Sequence, residues 1–286
     1  MVRWRDARRS TNVEDRRGVR HRMGAPMKIG GGMGLVVVLL VLVFGGDPSI
    51  LLDPSPDTGT IETGAPGTPG TPADDEAAFV SAMLASTEDV WSRLFRDVGA
   101  TYTEPILVLY TDAVQSACGY SSAATGPFYC PADQRVYIDL GFFRELARMG
   151  GAGDFARAYV LGHEIGHHVQ RLTGIADDVR RRQGAARREA DANALQVSME
   201  LQADCLAGVW AYHANRTRRI LEPGDVEEGL RAAAAIGDDR LQRNAGRRVS
   251  PESFTHGTSA QRVAWLSRGL GSGDVDGCDT FDGSGG

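Results

Sequence analysis

The chain has 286 residues, room for one or two domains. Its formal net charge of −6 hides an asymmetry. Residues 1–32 hold Arg3, Arg5, Arg8, Arg9, Arg16, Arg17, Arg20, Arg22 and Lys28 against Asp6, Glu14 and Asp15, so this segment carries +6 and the remainder −12. The basic stretch abuts an apolar run, and orientation at a membrane accounts for it, which excludes a nucleic-acid-binding arm.

That run, Ile29–Gly46, spans 18 residues without a charge. At 1.5 Å per residue it covers roughly 27 Å, close to the hydrocarbon thickness of a bilayer. A cleaved signal peptide is the competing reading. Against it stand the long basic leader and Gly45-Gly46-Asp47-Pro48, a poor cleavage site. The expectation is therefore a signal anchor: residues 1–28 a cytoplasmic arm, 29–46 a single transmembrane helix, and everything after it extracytoplasmic. Residues 47–74 carry Pro48, Pro54, Pro56, Pro66, Pro69 and Pro72 among Gly and Thr, and read as a flexible stalk.

From Asp75 the pattern changes. Phe79, Met83, Leu84, Val90, Trp91 and Leu94 recur at helical spacing, predicting one amphipathic helix over 75–97. Pro105–Tyr110 reads as a buried strand and Arg135–Asp139 as a second, with the turn-rich Cys118–Pro131 segment between them predicting an antiparallel pair. Helices follow over about 154–173, 187–217, 224–237 and 259–268. Strands early and helices late place residues 75–286 in the α+β class, with a small antiparallel sheet and several helices. Cys118, Cys130, Cys205 and Cys278 make an even count, which outside the cytoplasm reads as two disulfides. Of three connectivities, Cys118–Cys130 with Cys205–Cys278 is favoured.

The chemistry concentrates on two predicted helices. His163 and His167 are four residues apart, so both imidazoles share one face and can reach one ion, with Glu164 beside them. This is the H-E-x-x-H arrangement in which the glutamate serves as base to a zinc-activated water. His168 lies 100° further round and reads as a supporting or surface residue. Glu200 and Asp204 repeat the four-residue spacing on the next helix. Glu200 completes a His-His-Glu set, while Asp204 accepts the free ring N–H of a zinc histidine. The reverse assignment, Asp204 as ligand, stays open on the residues alone.

Several blocks in order resemble the neutral zinc metallopeptidases of bacterial membranes. They are the leader Arg3-Trp-Arg-Asp…Asn12-Val-Glu-Asp-Arg-Arg-Gly18, Cys118-Gly…Gly126-Pro-Phe-Tyr-Cys-Pro131, Gly162-His-Glu-Ile-Gly-His-His168 and Glu200-Leu-Gln-Ala-Asp-Cys205. Ile236-Gly-Asp-Asp-Arg-Leu-Gln242 and Phe254–Arg262 complete the set. The pattern is also similar to the wider gluzincins. That resemblance implies a zincin-like domain, Glu200 rather than Asp204 as third ligand, and His256 and Arg262 near the substrate carbonyl. The combined reading is a membrane-anchored peptidase that uses Zn²⁺, Glu164 as base and His256 as a donor to the oxyanion, acting on a protein or peptide held along the Arg135–Asp139 strand. A membrane-tethered binding protein with a closed, structural zinc site is the alternative, and it lacks an obvious fourth ligand.

Overall fold

Helix α1 (Asp75–Asp97) begins where its cap dictates: Asp74 Oδ1 accepts the Ala77 backbone N–H at 2.9 Å, satisfying one of the free donors of the first turn. The computed structural model describes residues 1–17, 74–122 and 125–281. The expected span over 29–46 and the stalk up to residue 73 lie outside these residues. Among the described residues, no helix is long and apolar enough to cross a membrane.

The described residues form six strands: β1 (Val13–Asp15), β2 (Ile106–Tyr110), β3 (Ala113–Ser116), β4 (Gly119–Ser122), β5 (Phe128–Cys130) and β6 (Arg135–Asp139). Four form one sheet in the order β1-β2-β6-β5, and β3 pairs with β4 as a separate hairpin. The expected antiparallel pairing of 105–110 with 135–139 is corrected: β2 and β6 run parallel, with Leu107 opposite Val136. The long connection between them, which holds the β3–β4 hairpin and β5, permits a crossover. The hairpin into β6 comes from β5 instead, antiparallel with Tyr129 opposite Val136. Strand alternation gives the sheet two buried faces. Leu107, Leu109, Val136 and Ile138 join the main core, while Val108, Tyr110 and Tyr137 pack with Val114 of β3. The Cys118–Cys130 disulfide closes this second cluster.

The helices α2 (Phe142–Arg148), α3 (Asp154–Leu172), α4 (Ile175–Ala185), α5 (Glu189–Arg218), α6 (Asp225–Ala235), α7 (Asp238–Asn244) and α8 (Ser259–Ser272) follow. Short 3₁₀ turns at Pro251–Ser253 and Asp276–Cys278 flank α8. The sequence reading omits α2, α4 and α7, two of them only seven residues long. Helix α5 packs closely on both α3 and α8 because small residues stand at the crossings. A Cβ on Gly166 of α3 would come within 2.9 Å of the Ala203 backbone, and one on Gly269 of α8 within 2.0 Å of the Cys205 carbonyl. The second disulfide, Cys205–Cys278, ties the chain after α8 back to α5.

Met1–Arg17, the described part of the expected 1–28 arm, packs into this folded unit, and residues 18–28 lie outside the described residues. Strand β1 adds to β2 in parallel, Val13 opposite Leu107. Val2, Trp4 and Val13 are buried, and Trp4 meets Phe79 edge-on at 5.5 Å. The buried Glu88 carboxylate accepts hydrogen bonds from Arg8 Nη2 at 2.8 Å, Asn12 Nδ2 at 2.9 Å and the Ser10 hydroxyl. These are specific, desolvated contacts, not a screened surface attraction.

Candidate metal centre

Helix α3 presents His163 and His167 one turn apart, and α5 brings Glu200 against them across the Gly166 crossing. Glu200 Oε2 lies 3.1 Å from His163 Nε2 and 3.5 Å from His167 Nε2. One donor atom from each of the three residues falls within 4.8 Å of the others. Zinc bonds of about 2.0–2.1 Å at tetrahedral angles put donors about 3.3 Å apart, so the observed spacings suit one Zn²⁺. Among the described residues this group has three members, leaving a tetrahedral position for a non-protein ligand.

Each donor is held from behind. His163 Nδ1 faces Asp204 Oδ1 at 2.8 Å, and Asp204 also accepts from the Tyr159 hydroxyl at 2.6 Å. Arg262 Nε reaches Asp204 Oδ2 at 2.8 Å. Both Asp204 oxygens are thus hydrogen-bonded and the side chain has no solvent exposure, the arrangement of a carboxylate that supports a histidine from behind. Glu200 Oε1 accepts from Gln196 Nε2 at 2.9 Å, turning Oε2 to the histidines. His167 Nδ1 is 2.8 Å from Gln170 Oε1.

The electrostatics call for a cation. Burial opposes charge on His163, but carboxylates at both ring nitrogens outweigh it and lift its pKa to about 10. Burial likewise opposes charge on His167, and Glu200 overrides it upward. Glu200 is held well below the usual carboxylate range, its burial outweighed by the two histidines. A proton or a metal must sit among these groups, and zinc fits the donor set. Glu164 differs: burial pushes its carboxyl above the ordinary value, the direction that suits a general base.

The chain matches the family described as "Putative neutral zinc metallopeptidase" over residues 2–281. It belongs to that family. It is 47% identical over 292 residues to "Uncharacterized protein YpfJ" of Escherichia coli (strain K12), covering 98% of this chain and 99% of the relative. It is 41% identical over 218 residues to "Uncharacterized protein Rv2575" of Mycobacterium tuberculosis (strain ATCC 25618 / H37Rv), covering 72% of each. No solved structure matches it. Family and donor set agree on Zn²⁺ as the cofactor.

The remaining predicted residues sort clearly. His168 is fully buried and points away, its Nδ1 3.0 Å from the Tyr129 hydroxyl and its Nε2 2.6 Å from the Thr103 carbonyl. It ties α3 to β5 and is not a surface residue. His256 stands on a loop pinned by Asp238, whose Oδ2 accepts the backbone N–H groups of Thr255, His256 and Gly257 at 2.7, 2.6 and 3.1 Å. Its Nδ1 faces Asp238 Oδ1 at 3.2 Å, and its ring is close enough to help hold Glu200 ionised. Arg262, which the gluzincin resemblance places near the substrate carbonyl, is instead buried behind His163. Gln170, Gln196 and Tyr159 escape the sequence reading. A signal exists for the two glutamines, since they lie three residues after His167 and four before Glu200, on neighbouring helical positions.

Proposed function

We propose that this chain is a zinc metallopeptidase whose ligands are His163, His167 and Glu200 and whose general base is Glu164. The observation that carries this reading is the three-donor group with a buried carboxylate beside it. Zinc supplies Lewis acidity that makes water a nucleophile near neutral pH and polarises the scissile carbonyl. Glu164 would accept a proton from the attacking water and return it to the leaving amine. Among the described residues, none hydrogen-bonds the Glu164 carboxylate, so both its oxygens are available for that exchange. With Nδ1–H of His256 turned to Asp238, Nε2 can donate to the oxyanion only from the doubly protonated ring, and that form is part of the proposal.

Strand β6 is internal, paired on both edges, and cannot take a substrate strand as the sequence reading has it. Among the described residues the sheet ends at β5, whose outer edge pairs with no strand there and whose Tyr129 contacts His168, the neighbour of His167. An extended peptide adding to β5 would lie along α3, and we place the substrate backbone there. Membrane attachment through residues 29–46 and an extracytoplasmic site are part of the proposal, the latter supported by two disulfides. The test is hydrolysis of an unfolded protein by the zinc-loaded full chain. Glu164→Gln is expected to keep stoichiometric zinc and the fold but lose about 10²–10⁴-fold in rate. Undiminished cleavage by that variant would refute the mechanism.

A further inference from the structure

A chain of buried amides runs from His167 to the Cys205–Cys278 disulfide. Gln202 Nε2 donates to the Cys278 carbonyl at 3.1 Å. Gln170 Nε2 donates to Gln202 Oε1 at 3.0 Å and to the Met199 carbonyl at 2.7 Å. Gln170 Oε1 then lies 2.8 Å from His167 Nδ1. Gln170 is fully buried and Gln202 nearly so.

The direction of this chain is not arbitrary. Carbonyl oxygens only accept, so Cys278 requires the nitrogen end of Gln202 and Met199 the nitrogen end of Gln170. Both constraints turn Gln170 Oε1 toward His167. An oxygen there can only accept, so the proton sits on Nδ1 and the Nε2 lone pair faces Glu200. A flipped Gln170 would set its oxygen against the Met199 carbonyl and leave two buried acceptors opposed. Cys278 cannot drift, because its disulfide fixes it to α5, the helix that also carries Glu200.

We propose that Gln170 and Gln202 are positioning residues that carry the orientation of the Cys278 carbonyl to the ring of His167 and decide which nitrogen it offers to zinc. The two zinc histidines are thus set by different means. His163 leans on the charged Asp204, while His167 leans on a neutral relay that ends at a covalent crosslink. This inference rests on the zinc reading of the site.

The test uses the full chain, with zinc affinity measured by competition against a chelator and the His167 Nδ1 proton followed by ¹H–¹⁵N spectra of histidine-labelled protein. Gln170→Leu, which keeps volume and removes the acceptor, is expected to weaken zinc binding about 10–100-fold and to release the Nδ1 proton to solvent exchange. Gln202→Leu should weaken zinc less, and should cost nothing further in a Gln170→Leu background, because the relay is already cut. Wild-type zinc affinity and an unmoved proton signal in Gln170→Leu would overturn the proposal, as would fully additive losses in the double variant. If Gln170→Leu does not fold, Gln202→Leu decides alone, and wild-type behaviour there overturns it. Failure of the zinc reading shows separately, as a wild-type protein that takes up no zinc or a His167→Ala variant that retains it.

Discussion

The guanidinium of Arg262 grips the carboxylate of Asp204 through two hydrogen bonds, Nε to Oδ2 at 2.8 Å and Nη2 to Oδ1 at 2.9 Å, with both side chains shut off from solvent. Two-pronged contact fixes the plane of the carboxylate, and Asp204 in turn fixes the His163 ring. Burial works against ionisation of Asp204, but Arg262 and His163 outweigh it and hold its pKa at about 2. A depressed carboxylate stabilises the fold above its unfolded pKa, ordinarily about 3.9, and that contribution is lost as pH falls through about 2.

Removing one partner therefore strands a buried charge. Arg262→Met is expected to destabilise the protein by about 3–5 kcal/mol in urea unfolding. Adding Asp204→Asn to Arg262→Met should recover part of that loss, because the unpaired carboxylate goes with it. A single variant as stable as wild type would contradict the pairing.

Zinc content separates ligands from supports. Single Ala substitutions at His163, His167 and Glu200 should abolish stoichiometric zinc by elemental analysis. Asp204→Asn should retain it with about 10–100-fold weaker affinity. Full retention in Glu200→Ala would remove Glu200 from the ligand set.

Zinc loading must also displace a proton. His163 has a folded pKa of about 10 without metal, above its ordinary 6.5. Its charged form stabilises the metal-free protein fully below about pH 6.5, and that stability is lost as pH rises through about 10. Zinc needs the neutral ring, so affinity should rise by about tenfold per pH unit for each proton released. Calorimetry at pH 7 in two buffers of different ionisation enthalpy should show at least one proton released per zinc. Zero release would contradict the charged apo site.

His256→Ala tests the oxyanion role. A lost donor there is expected to lower kcat by about a hundredfold, within the range of roughly 2.7–4 kcal/mol for such groups. Zinc content should stay unchanged, and the loop should hold, since Asp238 keeps its three hydrogen bonds to the loop backbone when the ring is removed. Wild-type kcat would return His256 to a structural role.

The metal helix was legible because a four-residue spacing of His163 and His167, repeated by Glu200 and Asp204, has only one geometric meaning on a helix. The long helices were legible for the same periodic reason. Strand direction was not: apolar runs at 105–110 and 135–139 look the same whether parallel or antiparallel, and β5, three residues long, supplies the antiparallel partner unannounced. Arg262 carries no local sign of burial, since its carboxylate partner is 58 residues away. The most consequential miss was β1. Three residues inside a basic segment show no strand pattern, and Arg8, Arg16 and Arg17 read as a charge run although each answers a carboxylate.

That miss leads to a prediction about sidedness. Arg17 Nη1 meets Asp74 Oδ2 at 2.8 Å, so the two described segments that border residues 18–73 meet at one place. Residues paired strand to strand cannot lie on opposite faces of a bilayer. Met1–Arg17 is therefore expected on the same side as His163, in place of the two-sided arrangement read from charge alone, and attachment through residues 29–46 could then not be a single crossing. Single cysteines replacing the exposed Arg5 and Arg268, placed in otherwise disulfide-bonded protein in native membranes, should react alike with an impermeant maleimide. Deleting residues 1–17 should also remove the burial of Val2, Trp4 and Val13, each worth about 1.5–3 kcal/mol, which is comparable to the roughly 5–15 kcal/mol stability of a domain. The truncated chain is then expected to lose cooperative unfolding and zinc together. Opposite labelling of the two cysteines, with a stable truncated domain, would show instead that the membrane separates the leader from the metal site.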